Sequence, residues 1–292
     1  MKILILGGAG MLGHKLFQHL RREFPGTLCT IRHDASRVPL LQGDDVLRGI
    51  DAADHTALRG VLSNLRPDYV INCVGVIKQR KDATSAIPSI TINSLLPHQL
   101  ADLAGSWGGR LIHFSTDCVF SGHRGGYTET DLSDAEDLYG KSKFLGEVAA
   151  ADNALTLRTS IIGRELTSHQ SLLDWLLSQN HRTIRGFSKV IYSGITTNQM
   201  AVVVAGLIRE HPGLSGLYQV VSAPITKCDL LGRLKLAYGL DVTIVPDDTV
   251  VSDRSMRGDK LREATGYVSP AWDVLVKHLA SDPTPYQEWI TA

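Results

Sequence analysis

Short runs of consecutive apolar residues alternate, through the first half of this chain, with longer amphipathic stretches. Lys2–Leu6 (KILIL) reads as a buried strand, and Met11–Phe24 as a helix halted by Pro25-Gly26. Thr27–Arg32 is a second expected strand and Val46–Ile50 a third. A helix over Asp54–Leu65 follows, ended by Arg66-Pro67, and Asp68–Cys73 gives a fourth strand. A helix around Asn93–Ala104 and a strand over Arg110–Ser115 complete the run. Strands that are apolar at nearly every position are buried on both faces, so the pattern predicts a parallel sheet covered on each side. Right-handed crossovers make such a sheet doubly wound, an α/β fold of Rossmann-like type.

After about residue 165 the rhythm loosens. Helical stretches are expected at Ser168–Asn180, Thr197–Glu210 and Thr226–Tyr238, separated by Gly/Ser/Pro segments. The expected organisation is a first domain over residues 1–165, with later segments near 185–222 returning to it. A smaller C-terminal lobe occupies residues 166–292.

Composition narrows the classes. Thirty basic and thirty acidic side chains leave no net charge with the histidines neutral. A strong footprint for nucleic acid or anionic lipid is therefore excluded. The four cysteines, Cys29, Cys73, Cys118 and Cys228, form no CxxC pair and have no metal-ligand spacing. They read as free thiols of a reducing compartment in a chain with no visible signal peptide, so a cytoplasmic location and no metal are expected. The run Ile3–Leu6 is far too short to span a bilayer.

The first strand runs into Gly7-Gly8-Ala9-Gly10-Met11-Leu12-Gly13. Two glycine spacings coincide: GxGxxG on Gly8, Gly10 and Gly13, and GxxGxxG on Gly7, Gly10 and Gly13. A strand that turns on glycines into a helix N-terminus offers backbone N–H groups and a positive dipole end to a pyrophosphate. Residues 1–165 are thus expected to form an NAD(P)-binding domain. The second strand ends at Arg32, with Arg37 close behind. Arginine there suits the 2′-phosphate, so NADP(H) is favoured, with NAD(H) the alternative through Asp34. Asp51, after the third strand, is a candidate acceptor from the adenine amino group, or equally an N-cap or solvated loop carboxylate.

Tyr139-Gly140-Lys141-Ser142-Lys143 is a YxxxK pattern at the head of an amphipathic stretch. Its i,i+4 spacing puts Tyr139 and Lys143 on one helix face. A neighbouring ammonium and a nicotinamide cation both favour phenolate, so the phenol is expected to fall from about 10 toward the working range of an acid–base catalyst. At the C-terminal end of Arg110–Ser115, Thr116, or failing that Ser115, supplies a hydroxyl to hold a substrate carbonyl; either also suits a turn cap.

The segments GGAGMLG, NCVG (Asn72–Gly75), FSTDCVFSG (Phe114–Gly122), YTETD (Tyr127–Asp131) and YGKSKFLGE (Tyr139–Glu147) resemble extended short-chain dehydrogenases/reductases. Their order and spacing are similar to those of the dTDP-4-dehydrorhamnose reductase group, in detail over about the first 165 residues and more loosely beyond. That resemblance implies an NAD(P)H-dependent oxidoreductase that reduces the 4-keto group of a nucleotide-linked 6-deoxyhexose, in sugar-nucleotide and polysaccharide biosynthesis. Tyr139 would supply the proton, Lys143 would tune it and hold the cofactor ribose, and Thr116 would orient the carbonyl. Gly10, Met11 and Leu12 would touch the pyrophosphate, while Cys73, Val74 and Gly75 would line the ribose and adenine side. Asp117 and Cys118 would face the sugar. Lys189, Arg254, Arg257 and Arg262 are candidates for the substrate diphosphate. Dimers through a helix pair are common in that superfamily, so a homodimer is the expected assembly.

Two positions depart from the group: Cys118 stands where tyrosine is usual, and Ile161 where tryptophan is usual. Both weigh against the rhamnose substrate itself. Cys118, with His169 downstream, also has the spacing of epimerase-reductases resembling GDP-fucose synthase. A third reading is a non-catalytic, cofactor-binding regulatory subunit, similar to the accessory subunit of methionine adenosyltransferase.

Overall fold

The computed structural model describes residues 1–33, 35, 37–77, 85–166 and 170–291. Asp34 and His169 therefore lie outside the described residues. The first part of the chain runs β1 (Lys2–Leu6), α1 (Met11–Glu23), β2 (Gly26–Ile31), β3 (Val46–Arg48), α2 (His55–Leu65) and β4 (Tyr69–Asn72). Next come α3 (Ala86–Ser89), a π-helical turn (Ile90–Leu95), α4 (Leu96–Gly105), β5 (Arg110–Thr116), α5 (Leu138–Leu145) and β6 (Ala154–Thr159). Then follow β7 (Ile161–Ile162), α6 (Leu172–Leu177), β8 (Thr183–Tyr192), β9 (Ile195–Thr196), α7 (Thr197–Glu210) and β10 (Gly216–Gln219). The chain closes with β11 (Ile225–Thr226), α8 (Lys227–Ala237), β12 (Thr243–Asp253), α9 (Asp259–Thr265), α10 (Trp272–Ala280) and α11 (Tyr286–Thr291).

Seven strands form one parallel sheet in the order β10-β6-β5-β4-β1-β2-β3. The strand order reverses between β1 and β4, which opens a crevice at their C-terminal ends. The apolar strands are buried on both faces, as their composition requires: Ile3 to Leu6 are all inaccessible to solvent. Ile3 and Ile5 pack with Leu16, Leu20 and Val204 under α1 and α7. Leu4 and Leu6 pack with Leu58, Leu62 and Leu100 under α2 and α4.

Helix boundaries follow local capping. Asp54 accepts from the N–H groups of Thr56 and Ala57, which starts α2, and Arg66 in the left-handed region ends it before Pro67. The helix expected around Asn93–Ala104 begins earlier and passes through the π turn before α4. The stretch expected over Ser168–Asn180 is helical only for Leu172–Leu177, because Ser171 caps the N–H of Asp174 there.

The later segments divide between two sheets. β10 joins the edge of the large sheet beside β6. β8 pairs with β11 and β12 in a separate three-stranded sheet, which the helical reading of this region did not anticipate. That sheet packs on α8 and α10 around Leu230, Leu234, Trp272 and Leu275, giving the lobe its own core.

Candidate active site

The glycine loop leaves β1 at the reversal of strand order. Gly7 has φ +83°, a conformation that side chains resist, and a Cβ there would stand 3.1 Å from Val74 Cγ2. Gly13 is required by packing, since a Cβ would lie 2.1 Å from the Gly7 carbonyl oxygen. Helices α2, α5, α7 and α8 each carry a side-chain cap, but α1, whose N-cap is Gly10, has none and no acidic residue in its first turn. Its first-turn N–H groups, from Met11, Leu12 and Gly13, are thus presented to an anion. The cradle fits the pyrophosphate of a dinucleotide.

Two predicted cofactor residues meet beside it. Nη1 of Arg32 stands 4.0 Å from Asp51 Oδ2, and both side chains are about half exposed. Arg32 also donates from Nε to His33, and Arg37 is exposed nearby. Asp51 Oδ1 accepts from the Ala53 N–H, a local turn. Cys73, Val74 and Gly75 leave β4 alongside the loop. The Cys73 N–H donates to the Leu6 carbonyl, and the Val74 N–H donates to Asn72 Oδ1.

Across the crevice, β5 delivers Ser115 and Thr116 to opposite sides. The Ser115 hydroxyl donates to Glu147 at 2.6 Å, behind α5. Thr116 is 8% exposed; it caps the short turn Asp117–Val119 by accepting the Cys118 N–H, and it interacts with the Tyr139 phenol. Helix α5 is capped by Asp137, which accepts the Gly140 N–H. One turn on from Tyr139, Lys143 is buried and donates to the Phe114 carbonyl at 2.6 Å.

Burial penalises the charged form of each group, and this sets their acidities. It lowers Lys143 from 10.5 to about 8, against the attraction of Glu147. It raises Tyr139 above 10, with Cys118 and Asp117 adding to the rise and Thr116 opposing it. The expected depression rested on two cations, Lys143 and a bound nicotinamide; in the protein alone desolvation dominates, and the Lys143 ammonium is given to the Phe114 carbonyl. Cys118 is pushed up to about 12 by burial and by Asp117.

Of the four cations proposed for the substrate diphosphate, Arg254 reaches this site. Its Nε donates to the Phe120 carbonyl at 2.9 Å, and its charge acts on Asp117 and Cys118. Lys189 is exposed and 3.3 Å from Asp248, while Arg257 and Arg262 both pair with Asp259. Ile161 lies in β7, paired with Ile195.

Sequence reasoning missed Asn93. In the π turn, its side chain accepts the Val76 N–H and donates to the Val76 carbonyl and to Ser142 Oγ, at 2.9, 3.0 and 3.1 Å. Ser94 donates to the Ser142 carbonyl. These bonds pin α5 to the loop after β4. The signal is the widened helical turn, which no hydrophobic period reveals. His113 was missed too: it bridges Asn72, 3.2 Å away, and Lys143, 3.5 Å away. Among the described residues, no group of three or more His, Cys, Asp or Glu is placed to hold a metal ion.

A doubly wound sheet, an uncapped glycine loop and a Thr–Tyr–Lys set together define an extended short-chain dehydrogenase/reductase. More narrowly, residues 1–211 match the RmlD substrate binding domain, and the chain belongs to that family. The dTDP-4-keto-6-deoxy-D-glucose reductase of Streptomyces niveus is 26% identical over 297 residues, covering 99% of this chain and 94% of that protein. The methionine adenosyltransferase 2 subunit beta of Danio rerio is 28% identical over 169 residues, covering 56% of this chain and 49% of that one. The fold is shared with a dTDP-4-dehydrorhamnose reductase of Bacillus anthracis solved in complex with NADP. The TM-score is 0.80 at 21% identity, over 96% of this chain and 99% of that one.

Proposed function

We propose that this chain is an NADPH-preferring reductase of the 4-keto group of a nucleotide-linked 6-deoxyhexose. The observation that carries the reading is that Thr116, Tyr139 and Lys143 meet at the end of β5 and on α5, at the same C-terminal edge of the parallel sheet from which the uncapped glycine loop leaves β1. Membership of the RmlD family and the full-length likeness to a keto-sugar reductase support it.

Gly7, Gly10, Met11, Leu12 and Gly13 hold the pyrophosphate, and Arg32 with Arg37 favours the 2′-phosphate. Asp51, Cys73, Val74 and Gly75 line the adenosine side. When bound, the nicotinamide supplies the hydride. Tyr139 donates the proton to the carbonyl oxygen, and burial, which disfavours the phenolate, keeps that proton in place at neutral pH until the carbonyl takes it. Thr116 orients the carbonyl. Lys143 turns to the cofactor ribose and offsets the phenolate that forms. Arg254 binds a substrate phosphate, with Asp117 and Cys118 beneath the sugar. Residues 1–165, with later segments returning, bind the dinucleotide, and the rest binds the sugar nucleotide. The protein acts in the cytoplasm, as a homodimer; among the described residues no helix is long and apolar enough to cross a membrane.

Cys118 bears on the alternatives. A thiol held at about 12 is a poor base at neutral pH, which supports plain reduction over reduction coupled to epimerisation. The complete Thr–Tyr–Lys set supports catalysis over a purely regulatory role. The test is a panel of 4-keto-6-deoxy sugar nucleotides, read by NADPH oxidation and product configuration. Tyr139→Phe is expected to lose about 10²–10⁴-fold in turnover while still binding NADPH. Unchanged NADPH consumption in that variant would overturn the assignment.

A further inference from the structure

Thr116 has one hydroxyl hydrogen and two acceptors within its reach, the Asp117 carboxyl and the Tyr139 phenol oxygen. Oγ1 donates to Asp117 Oδ1 at 3.0 Å and accepts the Cys118 N–H at 3.1 Å. A hydroxyl has one donor and two acceptor sites. With its hydrogen on Asp117, Thr116 turns only a lone pair toward a substrate carbonyl, itself an acceptor. The two oxygens repel, so the hydrogen must be released before Thr116 can orient a ketone.

Asp117 controls that release. Its carboxyl is 7% exposed and lies among the side chains of Thr116, Cys118 and Ser160. Arg254 is the cation that acts on it, yet the Arg254 Nε is given to the Phe120 carbonyl, and among the described residues no ion pair forms with Asp117. The other titratable groups facing it are the Cys118 thiol and the phenols of Tyr139 and Tyr192, all neutral near pH 7. Burial raises Asp117 above its ordinary 3.8, outweighing the hydrogen bonds of Thr116, Cys118 and Ser160 and the charge of Arg254, all of which favour the ionised form. A buried carboxyl without an ion-pair partner is stabilised by keeping its proton.

We propose that Asp117 is a positioning residue that sets the direction of the Thr116 hydrogen bond, and that the working site holds Asp117 protonated. This rests on the reductase reading above. The carboxyl O–H then donates to Thr116 Oγ1, which still accepts the Cys118 N–H and turns its own hydrogen to the substrate oxygen. No bond to Asp117 is made or broken beyond hydrogen bonds. The proton delivered to the product remains that of Tyr139. As pH rises through its acidity constant, Asp117 ionises, reclaims the Thr116 hydrogen and lowers kcat/KM before the Tyr139 phenol titrates.

The experiment combines two readouts on the full chain with NADPH. Infrared difference spectra of wild type against Asp117→Asn, titrated between about pH 5 and 9, read the protonated carboxyl without any substrate. In parallel, kcat/KM is followed over the same range for wild type, Asp117→Asn, Thr116→Val and the double variant, with NADPH affinity as the folding control. In Asp117→Asn the side-chain amide donates to Thr116 at every pH. The ratio of Asp117→Asn to wild type should therefore rise by about tenfold per pH unit across the wild-type limb. The carboxyl band should disappear over the same interval, and the substitution should have no effect on the profile of Thr116→Val. Absence of the band at the acid end would overturn the proposal, as would an unshifted limb in Asp117→Asn or an equal effect in the Thr116→Val background. A carboxyl band that titrates as expected, in a wild type that binds NADPH but reduces none of the sugars, would overturn the reductase reading and leave the protonated carboxyl standing.

Discussion

Glu147→Gln should be among the most damaging single substitutions that touch no ligand. Arg158 is 1% exposed and Glu147 5%, and they meet in a two-pronged pair at 2.9 and 2.7 Å. Ser115 donates to the same carboxylate at 2.6 Å, and the guanidinium lies 4.9 Å from the centre of the Phe120 ring. Nη1 of Arg158 has no hydrogen-bond partner among the described residues, so Glu147 is its main compensation. The neutral amide leaves a buried cation unpaired, a change that costs about 3–5 kcal/mol. At about 2–4 °C per kcal/mol for a chain of this size, the melting temperature falls by roughly 10 °C. Arg158→Met should cost less, because Lys143 also attracts the orphaned carboxylate. Replacing both partners with apolar residues should return stability to within about 2 kcal/mol of wild type, since desolvation and attraction are removed together. Urea unfolding followed by circular dichroism measures all three. A loss below about 1 kcal/mol in Glu147→Gln, or a double variant worse than the sum of the singles, would refute this view of the pair.

Other consequences follow from the same physics. Gly13→Ala must push α1 from the Gly7 carbonyl by about 1 Å, and should weaken NADPH binding roughly 100-fold in a fluorescence titration; affinity within about threefold of wild type would mean the loop does not hold the pyrophosphate. Lys143→Met should abolish turnover yet raise stability at pH 7 by about 1–2 kcal/mol, because burial penalises the ammonium more than its bond to Phe114 returns. Thermal melts at pH 7 that show Lys143→Met less stable than wild type would contradict that balance. His14 is fully buried between the Gly10 carbonyl and the Tyr286 hydroxyl and is lowered from 6.5 to about 4. Its contribution is complete above pH 6.5, where both states are neutral, and falls by up to about 3 kcal/mol as pH drops toward 4, because the unfolded chain takes the proton first. Melting temperatures across that window should slope less in His14→Gln; an identical slope would assign the acid sensitivity elsewhere.

What could be read from the chain depended on whether a residue's role is local. β1 is legible because Ile3 to Leu6 meet apolar neighbours on both faces, which four consecutive aliphatic residues announce. The small sheet is not. β12 is exposed at most positions and contains Pro246, and β8 contains Gly186, where a Cβ would collide with Cys228 and Ile244. β8 alternates only over Thr183–Gly186 and β12 not at all, since both are shaped by partners distant in sequence, so the region reads as helices with irregular joints. The site divides the same way. The glycine spacing and the i,i+4 pair of Tyr139 and Lys143 are local geometry and were visible. Asn93 and His113 act through Val76, Ser142, Asn72 and Lys143, contacts that only the fold creates. The depth of burial was likewise hidden: the sequence showed a lysine beside a tyrosine but not how deeply both lie, and in the protein alone that burial raises Tyr139 and lowers Lys143.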